Sequence, residues 1–525
     1  MKKYGIGLEA VVFTAGICTM TLELVGSRIL APYLGTSITV WTSLIGVILA
    51  CLSAGYWLGG RLADRSPKRR TLSLVLFWAG LATGITAVLA DTFAAASMAA
   101  VRDIRWSSAL ATLILFGPAS VFLGTVLPLA VRLRLERLDQ SGRTVGTLYA
   151  LSTLGSILGT FLTGFFLVAY LPCDKVILLV ATVLMLLALM VHLDSWKGRK
   201  VLIPVVILVG LVQSAAFAGQ LLKGPSLLDF NTRYNRIWIY DAHQAATGAP
   251  IRIMRVNNEH DSAMLLGSDE LAFEYTNYFR LAGHFFPDFK KTLMIGGAAY
   301  SVPKDFLARY PGSRMDVAEI DPGVTALARK YFALKDDPLL KIFHEDARVF
   351  LNRNRTAYDT ILVDAFKSYS VPYQLTTLEA VRRMHESLSP QGIVIMNIIS
   401  SVEGPSGQFL RAEVATFKSC FPQVYLFGVR DPENGSMVQN LILVALRSPT
   451  VPRFYSRDPQ LHAMLQHLWI KPIAEDLPPL TDSLAPTDRY MQQAASSLSD
   501  WKSNPVLERM HHTLIKDRRE SSRRT

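Results

Sequence analysis

Charge is spread unevenly along this chain, and that unevenness decides what it can fold into. The first 222 of its 525 residues hold 18 Lys and Arg and 9 Asp and Glu, whereas the remaining 303 hold 36 and 33. A stretch so poor in charge reads as membrane-spanning helix, because lipid offers the backbone no hydrogen-bond partner and each crossing takes about 20 apolar residues. Seven segments meet that requirement, at 7–30, 38–60, 71–90, 107–130, 145–170, 176–193 and 201–222. Gln213 and Ser214 interrupt the last. The first carries Glu23 and Arg28, so it reads as a span and not as a cleaved signal. The 303 residues beyond are enough to bury a core of their own.

Basic residues gather in alternate loops: Arg61, Arg65, Lys68, Arg69 and Arg70; Arg132, Arg134, Arg137 and Arg143; Lys197, Arg199 and Lys200. The positive-inside rule assigns those loops, with Lys2 and Lys3, to the cytoplasm. Seven full spans would then put the rest of the chain outside. A seventh segment that is re-entrant or interfacial would return it to the cytoplasm, and that is the side favoured for the polar half. The expected location is the plasma membrane, with multiple passes. Most of the excess positive charge orients the spans, so nucleic acid is not an expected partner, whereas the bilayer is. Within the spans, Gly55 with Gly59 and Gly155 with Gly159 allow close helix contact. Glu23 and Arg28 are intramembrane ionisable groups, expected to pair with each other or to pair Glu23 with Arg61. Cys18, Cys51, Cys173 and Cys420 have no metal spacing, and no metal is expected.

The pattern changes beyond residue 222. Residues 223–257 read as a linker and a β-hairpin, from the alternation at Ile237 and Ile239 and again at Ile251 and Ile253. Residues 269–285 have helical spacing. From Thr292 the chain reads TLMIGGAAYSVPKDFLARYPGSRMDVAEID, a strand, a Gly turn, a helix and a second strand ending in acids. KIFHEDA and YDTILVDAF end two more strands in Asp346 and Asp364, and GIVIMNII from Gly392 is a fifth. Strands alternating with helices predict a parallel sheet whose ligand crevice lies beyond the strands' carboxyl ends. Gly296 and Gly297 would let backbone approach a ligand there, and Glu319 lies where an acid can hold ribose hydroxyls. Three acids in one register favour a nucleoside site. The boundaries expected are 1–222 for the helical membrane domain, 223–257 for linker and hairpin, 258–450 for the α/β Rossmann-like, methyltransferase-type domain, and 451–525 for a helical extension with a basic tail.

These motifs carry a resemblance. From Tyr234 to about Ser401, the segments YNRIWIYD, FEYTNYF, MIGGAAYSVP, AEIDPGV, HEDARVF, YDTILVDAF and VPYQLTT resemble the polyamine aminopropyltransferases, the spermidine synthase family, and most closely its membrane-fused branch. The resemblance implies transfer of an aminopropyl group from decarboxylated S-adenosylmethionine to an amine. It implies that Gly296 and Gly297 line the donor, Glu319 takes the ribose, Asp346 with Ala347 reads the adenine edge, and Asp364 is the catalytic acid. Tyr234, Glu274, Tyr300, Lys367 and Gln374 are the implied substrate contacts. The family's GGGDG turn is GGAAY here, with Ala299 in place of the Asp, and Lys367 replaces a second Asp. Those departures imply an acceptor other than plain putrescine: another amine, a lipid or a membrane protein. Methyl or aminocarboxypropyl transfer from S-adenosylmethionine itself, and a transporter or non-catalytic module with a regulatory nucleotide fold, are the alternatives. Self-association is left open.

Overall fold

The computed structural model describes residues 7–35, 37–101, 103–135, 141–192, 227–244, 247–257, 259–365, 371–492 and 494. The expected span 201–222, Lys367, and the basic tail lie outside the described residues. The chain divides into two compact units, Met1–Ile239 with Val256–Asn258, and Tyr240–Arg255 with Glu259–Thr525.

The first unit is helical: α1 (Leu8–Leu34), α2 (Ile38–Arg65), α3 (Arg69–Ala100), α4 (Ile104–Leu115), α5 (Gly117–Arg134), α6 (Ser141–Leu162), a π-helical turn Thr163–Leu167 leading into the short α7 (Val168–Tyr170), and α8 (Cys173–His192). Among the described residues five helices are long and apolar enough to cross a membrane, or six if the bent pair α4 and α5 is one span. The expected single span at 107–130 is that pair, bent by 57°. The break falls at Phe116 and Gly117 because Pro118, in the first turn of α5, has no N–H to continue the ladder.

The glycines predicted to allow close contact do so. A Cβ on Gly55 would overlap the Val121 carbonyl, one on Gly155 the Phe13 carbonyl, and one on Gly159 would come 2.6 Å from the Ile17 carbonyl oxygen. α2 therefore packs backbone to backbone on α5, and α1 on α6. The expected ion pair of Glu23 with Arg28 or Arg61 does not form among the described residues. Arg28 instead donates to the main-chain carbonyl of Arg233. Arg61 lies over the Trp57 ring, 3.7 Å from its centroid. Both cations thus find electron-rich partners near their own helix ends, without the acid.

The expected hairpin is part of a larger element. Strands β1 (Leu227–Asn231), β2 (Arg236–His243), β3 (Pro250–Val256) and β4 (Glu259–Leu265) form a four-stranded sheet in that order.

The second unit is built on a seven-stranded sheet of β5 (Lys291–Ile295), β6 (Arg314–Ala318), β7 (Leu340–Phe343), β8 (Tyr358–Val363), β9 (Leu388–Ser400), β10 (Gln423–Gly428) and β11 (Gln439–Leu446), in the order β10-β11-β9-β8-β5-β6-β7. β5 through β9 pair in parallel, as expected, but β9–β11 and β11–β10 are antiparallel, so the sheet is mixed. The strands are continuously apolar because both faces are covered. Leu293, Ile295, Ile361 and Val363 enter one core, and Met294, Leu362, Ile393 and Ile395 enter the other. That is the period-two alternation of a pleated strand. The helix expected over 269–285 is shorter and broken, with α-helix at Glu274–Asn277, a 3₁₀ turn at Tyr278–Arg280 and α-helix at Leu281–Phe285. Beyond residue 451 the described residues hold the helix Pro459–Leu465 and a second helical stretch at 487–492 and 494, with turns and irregular chain between them.

Candidate functional site

Strand order reverses at β5, which has β8 on one side and β6 on the other. Connections leave such a point in opposite directions, opening a crevice at the carboxyl ends. Main-chain bonds close off the sheet there: Gly296 N–H donates to the Ala318 carbonyl at 3.0 Å and Asp364 N–H to the Ile295 carbonyl at 2.9 Å. Gly296 has φ +90°, and a Cβ on it would overlap the Asp364 carbonyl, so only glycine lets these strand ends meet.

Glu319 follows β6 and is buried. Its Oε2 accepts the N–H groups of Gly297 at 2.9 Å and Ala298 at 3.3 Å, and its Oε1 accepts that of Asp321 at 2.9 Å. Burial pushes its carboxyl above the ordinary range, while these N–H groups oppose the rise. The acid implied to hold ribose is thus also the clamp that shapes the loops after β5 and β6. Asp346 divides its two oxygens. Oδ1 caps the helix Ala347–Arg353, accepting from Arg348 N at 2.8 Å and Val349 N at 3.2 Å, and Oδ2 meets Gln374 Nε2 at 3.4 Å. Ala347 is buried as that helix's first residue.

Asp364, at the end of β8, is the most chemically distinctive group. Tyr275 Oη donates to its Oδ2 at 3.2 Å and Asn397 Nδ2 to its Oδ1 at 3.1 Å. Asn397 is held in turn, its Oδ1 accepting Asn440 Nδ2 at 3.0 Å. That contact fixes the amide so that its NH₂ faces the carboxylate. Burial raises the Asp364 pKa to about 6, against the two donors, which lower it. A carboxyl tuned near 6 is ionised at neutral pH yet basic enough to take a proton.

Sequence reasoning missed Tyr275, Asn397 and Asn440. Tyr275 falls within residues 269–285, whose helical spacing does not mark its hydroxyl. Asn397, a lone amide in GIVIMNII, was a signal, since an amide in a doubly buried strand needs a partner.

The remaining candidates separate. Tyr300 is fully buried beneath the site: its φ is +58°, and its hydroxyl is 2.7 Å from Thr325 Oγ1, which also meets His344 Nε2 at 3.0 Å. A Cβ on Gly297 would meet the Tyr300 ring at 2.7 Å, so this glycine makes room for the ring. Tyr300 is a core residue, which corrects its assignment as a substrate contact. Ala299 is buried too. Glu274 is exposed at the start of its short helix, next to Tyr275. Tyr234 belongs to the first unit, 41% exposed in the β1–β2 turn. Gln374 reaches Asp346 as described. No group of three or more His, Cys, Asp or Glu residues among the described residues could hold a metal.

A switch-point crevice with acids after consecutive parallel strands defines the second unit as a nucleotide-type α/β domain. Residues 275–444 match the spermine/spermidine synthase domain family. Over 178 residues it is 34% identical to the polyamine aminopropyltransferase of Vibrio vulnificus, covering 33% of this chain and 58% of that one. Over 127 residues it is 29% identical to the probable polyamine aminopropyl transferase of Bifidobacterium longum, covering 24% and 28%. The chain thus spans at most about three-fifths of the length of these relatives. Among solved structures, a probable spermidine synthase from Corynebacterium glutamicum aligns with TM-score 0.40 and 24% identity over 48% of this chain and 89% of that one.

Proposed function

We propose that this protein is a membrane-anchored aminopropyltransferase, whose second unit moves the aminopropyl group of decarboxylated S-adenosylmethionine to an amine. The observation that carries the reading is Asp364, a carboxyl held between Tyr275 and Asn397 at the switch point, one strand from Gly296 and Gly297 and two from Glu319. In the reaction the amine nitrogen's lone pair forms a C–N bond to the propyl carbon attached to the sulfonium. The C–S bond breaks, its electron pair staying on sulfur, and neutral methylthioadenosine leaves. The nucleophile must first lose a proton: the ionised Asp364 carboxylate attracts the incoming ammonium and then accepts that proton, which frees the nitrogen lone pair.

Gly296, Gly297, Glu319, Asp346 and Ala347 form the donor subsite in this reading, and 258–450 is the catalytic domain. Ala299 stands where the family's GGGDG turn has its Asp, which supports an acceptor other than plain putrescine, with Glu274 as its polar contact. The apolar helices α1 to α8 support anchoring in the plasma membrane, and the supply of adenosyl donors favours a cytoplasmic catalytic domain.

The test is titration of the purified protein with S-adenosylmethionine, its decarboxylated form and methylthioadenosine, followed by product analysis. Methylthioadenosine as product supports aminopropyl transfer, whereas S-adenosylhomocysteine would replace it with methyl transfer. Asp364→Asn is expected to abolish turnover and leave nucleoside binding largely intact. Full activity in that variant would remove Asp364 from the mechanism.

A further inference from the structure

Helix Ala347–Arg353 presents Arg348 two residues after Asp346, and this arginine is tied on several sides. Its Nη1 donates to the Gln374 carbonyl at 3.0 Å and to Thr377 Oγ1 at 3.0 Å. Asp482 faces the same guanidinium, its Oδ2 2.7 Å from Nη2 and its Oδ1 3.3 Å from Nη1. Thr377 Oγ1 also donates to Asp482 Oδ1 at 2.6 Å. The segment bearing Asp482 is itself fastened to the domain. Leu480 is buried, its carbonyl accepts Leu378 N–H at 2.7 Å, its own N–H donates to Thr416 Oγ1 at 2.9 Å, and Asp482 N–H donates to Glu379 Oε2 at 2.9 Å.

These contacts close a ring. Asp346 Oδ1 caps the helix that carries Arg348, Arg348 grips the main chain of Gln374, and the Gln374 amide returns to Asp346 Oδ2. Among the described residues the guanidinium's buried Nε has no hydrogen-bond partner, so its orientation depends on what the two Nη groups meet. A planar fork is fixed best by a two-point carboxylate, which Asp482 supplies. Asp482 lies 38 residues past the end of the matched domain at residue 444, so the arginine in this ring is held from outside it.

We propose that Asp482 is a positioning residue for the nucleoside subsite. Through Arg348 it holds Gln374 against Asp346, setting the donor's adenine edge without touching the reacting atoms. This rests on the reading of Asp346 as a nucleoside contact.

The experiment is calorimetric titration of the full-length protein in detergent with methylthioadenosine, with kinetics alongside. Asp482→Ala is expected to weaken binding about tenfold, as loss of a supporting contact typically does, to raise the donor KM similarly and to leave kcat nearly unchanged. Asp482→Glu, which keeps the carboxylate, is expected to recover most of the affinity. Lys418→Ala removes another ion pair to the same C-terminal segment, that of Lys418 with Glu475 at 2.7 Å, and is expected to bind like the unaltered protein. Unchanged affinity in Asp482→Ala overturns the proposal, and so does an equal loss in Lys418→Ala, which would make the effect one of general stability. Failure of the unaltered protein to bind any nucleoside would instead overturn the reading of the site, a result visible before any variant is made.

Discussion

At the scale of single residues, the Asp364 carboxyl balances burial against two donors, and each donor can be removed separately. Its pKa of about 6 predicts that turnover falls as pH drops through 6, because the base becomes protonated. Tyr275→Phe deletes a donor that favours the charged form. It is expected to move the acid limb of the pH–rate profile upward by roughly half a unit or more, since a hydrogen bond to a charged group contributes about 1 kcal/mol or above. An unmoved limb would show that Tyr275 does not touch the working carboxylate. Glu319, Asp346 and Asp364 were legible because strand-end acids recur in one register. Their second roles were not: an N-cap or a clamp on N–H groups is set by the path of the chain, which spacing does not reveal. Tyr300 was misread for a similar reason. The resemblance implied a substrate contact, but the left-handed turn points the ring down into the core.

At the scale of elements, helix Gln408–Lys418 contains a conflict. Glu413 is completely buried and neither carboxyl oxygen has a hydrogen-bond partner among the described residues. Burial raises its pKa well above the carboxylate norm, so the folded state keeps a proton that the unfolded state releases above its ordinary pKa of about 4.5. The penalty is therefore absent below pH 4.5 and grows as pH rises above it. Glu413→Leu is expected to stabilise the protein at neutral pH by about 1–3 kcal/mol, the cost of an unsatisfied buried polar group, and to flatten the pH dependence of thermal unfolding. A lower melting temperature would mean that the carboxyl has a partner. The strands were legible because doubly buried strands are continuous apolar runs. The antiparallel pairs at β9, β10 and β11 were not, since direction depends on the connection and not on strand composition. The break between α4 and α5 was missed because hydropathy sums over it, although the Gly117-Pro118 dipeptide marks it.

At the scale of the whole molecule, a chain divided between an apolar helical unit and a charged α/β unit is expected to stay with the membrane pellet after carbonate washing. Release into the supernatant would overturn the anchored reading. A reporter fused at the C-terminus is expected to be active in the cytoplasm, and activity only outside would place the domain where adenosyl donors are scarce. The Gly-lined crossings of α2 with α5 and α1 with α6 matter at this scale too, because in lipid helices associate through close packing and not through exclusion of water.

The loops around the crevice are braced from beneath. Glu319 joins the turns after β5 and β6, and the Tyr300–Thr325–His344 chain joins the turn after β5 to the helix Pro322–Tyr331 and the segment after β7. Three of the four strand-end loops are thus set before any ligand arrives. On the proposed function, a nucleoside would find these three loops already set, so that encounter and not their rearrangement would govern how fast it docks, and residence time would become the quantity through which one donor is preferred over another.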